Sequence, residues 1–243
     1  MLGLGNSTTG GASLEGFVDL TSVSSLQLWL KNGVGLANDP VSQWDDSSGN
    51  SRNVRQTTEG DRADLSGGGL LFKETESDHY DLATPIEIAK NQGFCMAYVL
   101  KTESGSNNTL LSNSGNEVIQ VQNSSKIRIN CDDDSNISTQ LHSGSAFGNA
   151  KMQILINRTG AGVWTVYKNA SELTIAADGV GASSNSDPGD NVNGLSLSIL
   201  GTKGTASGHF MDGTLFELAF WDRALTAGEM VEVSTYLKDK HSL

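Results

Sequence analysis

The stretch Glu76-Ser77-Asp78-His79-Tyr80-Asp81 carries three carboxylates within six residues. Two carboxyls roughly 5–5.5 Å apart can cleave a glycosidic bond with retention, one as acid and one as nucleophile. Strand residues at i and i+2 share a face, so Glu76 and Asp78 reach that geometry only if the segment is regular strand. The competing expectation is a polar turn at Ser77-Asp78 that leads into Tyr80-Asp81-Leu82 and does no chemistry. Serine is abundant, but no Gly-x-Ser-x-Gly elbow stands between a strand and a helix. The four histidines and two cysteines are scattered without the spacing that holds zinc.

Oxygen-rich loops are the other candidate. They are Asp45-Asp46-Ser47-Ser48-Gly49-Asn50, Asp132-Asp133-Asp134 and Asp187-Pro188-Gly189-Asp190-Asn191. Calcium takes six to eight oxygen ligands, so any one of these loops needs carbonyls or a second loop to complete a shell. None has EF-hand spacing. The first loop is the best placed, through Asp45, Asp46 and Asn50. The alternative is a solvated turn in which Asp and Asn cap backbone amides. No other cofactor is expected.

Composition narrows the partners. A formal net charge of −12 and the lack of any basic stripe argue against nucleic acid. No apolar run approaches the length of a membrane span, and no basic, apolar leader opens the chain. Only 18% of residues are charged, while Gly, Ser, Asn and Thr abound, as expected of many strands joined by polar turns. Cys95 and Cys131 each fall in an apolar strand pattern and read as buried thiols. Trp29, Trp44, Trp164 and Trp221 also sit in strand patterns, so no exposed aromatic platform for a sugar ring is visible.

The elements that would position these groups are clearest at residues 212–240. Leu215, Glu217, Ala219 and Trp221 alternate with Phe216, Leu218 and Phe220, which predicts a strand buried on both faces. Thr226 and Glu229 form a capping box, and Met230, Val233 and Leu237 recur at helical spacing. Upstream, Leu26-Leu28-Leu30 predicts a first strand, Phe94–Leu100 a central one, and residues 109–131 a three-strand meander. Residues 152–168 read as a hairpin and Leu195–Leu200 as another buried strand. Thr84-Pro85 is expected to open one helical turn through Ile88. About a dozen strands at this spacing describe a double-sheet sandwich.

Two motifs resemble a known family. The closing DGTLFELAFWDRALTAGE and the opening LQLWLKNGVGLANDPVSQWDDSSGN are similar to the ends of laminin-G-like, concanavalin A-like jelly-roll domains. The resemblance implies an all-β jelly-roll sandwich with a short C-terminal helix over residues 23–243. Enzymes of that fold class carry Glu-x-Asp-x-x-Glu, and here the last position is Asp81. Residues 1–22 form a separate Gly- and Ser-rich arm, either a flexible terminus or a docking segment, whose opening resembles structural proteins of marine tailed bacteriophages. That resemblance implies a non-enzymatic virion structural or decoration protein, multimeric in an assembly built in the host cytoplasm. The arm would dock on other virion proteins through Leu2, Leu4, Leu14 and Phe17, with Val18 and Leu20 beside them. A lectin-like module for cell-surface carbohydrate and a glycoside hydrolase with a degenerate motif are the alternatives.

Overall fold

The computed structural model describes residues 19–103, 107–131, 138–144, 146–179, 193–204 and 209–243. Within them the chain forms β1 (Leu26–Leu30), β2 (Leu36–Ala37), β3 (Gln43–Trp44), β4 (Val54–Arg55), β5 (Asp64–Ser66) and β6 (Gly69–Phe72). Next come β7 (Tyr80–Ile88), β8 (Phe94–Thr102), β9 (Asn108–Ser112), β10 (Val118–Asn123), β11 (Lys126–Asn130) and β12 (Ser138–His142). The set ends with β13 (Met152–Arg158), β14 (Trp164–Lys168), β15 (Ser171–Glu172), β16 (Ala176–Gly179), β17 (Leu195–Leu200), β18 (Gly213–Trp221) and helix α1 (Ala227–Lys240).

These strands make two antiparallel sheets. The eight-stranded one runs β15-β14-β13-β8-β18-β6-β5, with β1 also on β18. The ten-stranded one runs β16-β12-β11-β10-β9-β17-β7-β4-β3-β2. Leu28, Met96, Tyr98, Ile154 and Phe220 from the first sheet meet Ile86, Ile119, Ile127 and Leu197 from the second in the main core. The other face of the eight-stranded sheet is apolar too. There Trp29, Ala97, Leu155 and Trp221 pack under Met230, Val233 and Leu237 of α1. The expected jelly-roll-like sandwich with one C-terminal helix is therefore what the chain builds.

Strand β18 explains the two layers. Phe220 faces the inter-sheet core and Trp221 the helix layer, as alternation requires. Leu215 does not follow the predicted faces: it joins Leu218 and Phe220, because the register with β8 slips between Leu215 and Glu217. Helix α1 starts as the sequence predicts. The Thr226 side chain accepts from the Glu229 amide, and the Glu229 side chain returns a bond to the Thr226 amide. Leu225 and Met230, flanking this cap, are buried in one cluster.

Two expectations are corrected. Residues 84–88 are not a helical turn but the second half of the nine-residue β7. Pro85 is tolerated because pairing with β17 slips between Leu197 and Ile199, so no ladder bond needs its missing N–H. Leu20, assigned to a partner-docking arm, is fully buried in the layer under α1, so the sandwich already includes the short 3-10 turn Leu20–Ser22. Leu2, Leu4, Leu14, Phe17 and Val18 lie outside the described residues. Cys95 and Cys131 are free and buried, Cys95 beneath α1 and Cys131 between the sheets. Among the described residues no helix is long and apolar enough to cross a membrane.

Candidate functional site

The expected calcium loop does a different job. Asp46 Oδ1 accepts from the amides of Trp29 (2.9 Å) and Ser48 (2.8 Å), and Oδ2 from the Ser48 hydroxyl (2.8 Å) and the Arg52 amide (3.0 Å). Its carboxylate thus faces donors rather than a cation, and it ties the loop to β1. Asn50 turns its amide N–H groups onto the Leu26 carbonyl at 2.7 Å and the Ser48 hydroxyl at 3.0 Å. Asp45 accepts from the Gln43 side chain, and its own amide donates to the Gly35 carbonyl at 2.9 Å. Asp46 and Asn50 meet at the Ser48 hydroxyl, with Asn50 presenting N–H groups there and not an oxygen. Among the described residues no cluster of three or more His, Cys, Asp or Glu side chains could hold a metal. The loops at 132–134 and 187–191 lie outside the described residues.

The candidate hydrolase acids do not share a strand face. Glu74–Glu76 is a 3-10 turn closed by Ser77 in the left-handed region at φ 61°, so the strand on which Glu76 and Asp78 would share a face does not exist. Glu76 pairs with Lys73 at the surface (3.1 Å). Asp78 is buried, and its Oδ2 accepts from the Lys73 amide at 2.7 Å. Burial pushes its carboxyl up to about 6, against the pull of that amide. Asp78 Oδ1 has no partner. Asp81, the third acid, lies on the exposed side of β7.

A different surface gathers polar groups. In β10, Ile119 and Val121 point into the main core, and in β11 Ile127 and Ile129 do the same. Gln120 and Arg128 alternate with them and so face away from the core. The register places Thr109 of β9 opposite Gln120, Gln120 opposite Arg128, and Arg128 opposite Gln140 of β12. These four side chains form one row across four strands of the ten-stranded sheet. A second row beside it holds Ser112, Val118 and Asn130. Neither hydrophobic cluster extends onto this face.

The row is shielded all the same: Thr109 is 0% exposed, Gln120 1% and Gln140 7%. Thr109 Oγ1 has no hydrogen-bond partner, nor has Gln122 Oε1 at the bulge where β10 meets β11. Gln120 reaches only the Asn107 side chain, at 3.5 Å. Arg128 Nε donates to Asn130 Oδ1 at 2.9 Å, which fixes the plane of the guanidinium. Buried polar groups are nearly always satisfied, so an unanswered hydroxyl among amides stands out on this face.

One border of the face is the segment after β17. Gly201 turns the chain at φ 91°, where a Cβ would stand 2.4 Å from the Phe72 ring, so only glycine fits. The Ser112 hydroxyl donates to the Thr202 carbonyl, and Gly204 lies beside the Asn113-Ser114 backbone, so residues 202–204 border the end of β9. The Met211 amide donates to the Gly201 carbonyl at 2.7 Å. The sequence carried a trace of this face in IQVQ and KIRIN, amides and a cation alternating with β-branched residues. Alternation alone reads as a solvated outer face. Only the register shows that the polar residues align.

No family model matches the chain, and no curated protein matches it. Solved structures do. The binding domain of Paraclostridial Mosquitocidal Protein 1 superposes with a TM-score of 0.56 at 15% identity, over 88% of this chain and 52% of that one. Trypanosoma rangeli sialidase in complex with sialic acid superposes with a TM-score of 0.53 at 14% identity, over 90% of this chain and 33% of that one. The chain thus spans about half of the first neighbour and a third of the second. At these identities the likeness shows a shared β-sandwich fold, and the fold is what this chain has in common with them.

Proposed function

We propose that the protein is a non-catalytic binding module that takes a hydroxyl-rich ligand, a saccharide, on the outer face of its ten-stranded sheet. One observation carries this reading: Thr109 Oγ1 is buried and unpartnered within a row of amide and guanidinium side chains that faces away from the core. Amides donate and accept at once, so Gln120 and Gln140 suit neighbouring sugar hydroxyls, each of which also does both. Glu76 and Asp78 do not share the strand face that the hydrolytic arrangement needs, which favours binding over hydrolysis. One structural neighbour is itself a binding domain, which fits the same reading at the level of the fold.

Titration of the full chain with a panel of hexasaccharides tests it. Binding that falls about tenfold in both Gln120→Ala and Gln140→Ala, a loss of about 1.4 kcal/mol, supports the site. Binding unchanged in both variants, or bond cleavage during the titration, would overturn it.

A further inference from the structure

Among the described residues, two shielded oxygens near the row have no hydrogen-bond partner: Thr109 Oγ1 in β9 and Gln122 Oε1 in β10. Val121 and Ile127 point into the main core, so Gln122 and Lys126 next to them leave it on the side of Gln120 and Arg128. Gln122 is the extra residue where pairing with β11 slips between Val121 and Asn123. It is only half-buried, whereas Thr109 is fully covered. The Gln122 carbonyl accepts from the Asn107 amide at 2.9 Å, and Asn107 Oδ1 accepts from the Gln120 side chain at 3.5 Å. Asn107 thus joins Gln122 to the row in which Thr109 stands opposite Gln120. Two residues along a strand separate Gln122 from Gln120 by about 7 Å.

The two oxygens ask for the same partner. An amide oxygen only accepts, and the Thr109 hydroxyl offers lone pairs besides its proton. A shielded acceptor without a donor is unfavourable by itself and is relieved by a proton brought from outside. Resting on the binding module described above, we infer that Gln122 is a specificity residue of that site. With Thr109 it selects saccharides bearing free hydroxyl donors over those whose oxygens only accept. A site built around a ligand hydroxyl rejects the analogue lacking it, because the buried acceptor is then left unpaired.

The test titrates the full chain with the hexasaccharide panel, maltohexaose and cellohexaose included, and with their per-O-methyl forms. Methylation keeps every oxygen and removes every hydroxyl proton. The hexasaccharide that binds is expected to do so about tenfold tighter than its methylated form. The sharper readout is a pair of opposite signs. Thr109→Val and Gln122→Met put apolar atoms of similar shape in place of the unanswered oxygens. Each should raise the melting temperature by about 2–4 °C and weaken the hexasaccharide about tenfold. Gln122→Glu restores an acceptor and should bind about fivefold tighter than Gln122→Met. Val and Met variants that lose stability and affinity together would overturn the inference, since both oxygens would then be answered within the free protein. Methylated forms that bind as tightly as the parent sugars would also overturn it. In either case, binding that still falls in Gln120→Ala and Gln140→Ala leaves the module standing. If no hexasaccharide of the panel binds, both readings fall.

Discussion

Trp29 and Glu217, 188 residues apart in sequence, meet in a 2.7 Å hydrogen bond from the indole N–H to the carboxylate. The same buried carboxylate receives Lys240 at 2.8 Å and His241 at 2.7 Å, from the end of α1. One side chain of β18 therefore clamps the first strand and the last helical turn together. A buried charge of this kind is tolerable only because its oxygens are so fully engaged.

Burial pushes the Glu217 carboxyl up, but the bonds from His241, Lys240 and Trp29 outweigh it and leave the group below its ordinary value. Its stabilisation is thus present above the ordinary carboxylate range and is lost as pH falls through the lower folded value. Glu217→Gln is expected to cost about 2–4 kcal/mol at pH 7, with the gap to the parent closing in acid. Urea denaturation at pH 7 and pH 3 measures it. An equal gap at both pH values would rule out the ionic clamp.

Trp221 fills the layer under α1 while its neighbour Phe220 fills the inter-sheet core, both fully buried. Trp221→Ala should cost about 3–5 kcal/mol through the cavity it leaves. Reversible denaturation checks this, and a loss below about 1 kcal/mol would contradict the packing described.

Asp78 behaves in the opposite sense to Glu217. Its carboxyl, raised to about 6 by burial, makes the folded state bind a proton that the unfolded state has released. Stability attached to this group is therefore complete below the ordinary Asp range and lost as pH rises through about 6. Asp78→Asn keeps an acceptor for the Lys73 amide and should be more stable than the parent at pH 8 by about 1–3 kcal/mol, and no more stable near pH 4. Thermal melts at the two pH values decide it.

Asp46 holds four donors across the loop that was the best calcium candidate. Asp46→Ala should lose about 2–4 kcal/mol, since bonds to a charged acceptor are worth more than neutral ones. The parent's melting temperature should be the same in millimolar calcium and in a chelator. A rise of several degrees on adding calcium would restore the loop as an ion site.

Where local and global preferences agree, the sequence was legible. Strand β18, the Thr226–Glu229 cap and the buried face of α1 follow from alternation, a capping box and helical spacing. Pro85 misled because its missing N–H falls at a slip in pairing, a fact of register and not of propensity. Leu20 was unreadable from a Gly-rich neighbourhood, since the surface that buries it is contributed by a helix more than 200 residues later. Asp46 and Asn50 were correctly seen as oxygen-rich, but residue type does not say whether an oxygen turns to a cation or to an amide. The row from Thr109 to Gln140 needs the pairing of four strands, so no window of sequence contains it.

The layer beneath α1 also gives the molecule two unlike sides. Leu20 and Leu243 both pack into it, on the outer side of the eight-stranded sheet. The polar row lies on the outer side of the other sheet. Leu20 and α1 therefore lie on the opposite side of the molecule from the row that runs from Thr109 to Gln140, with both sheets between them.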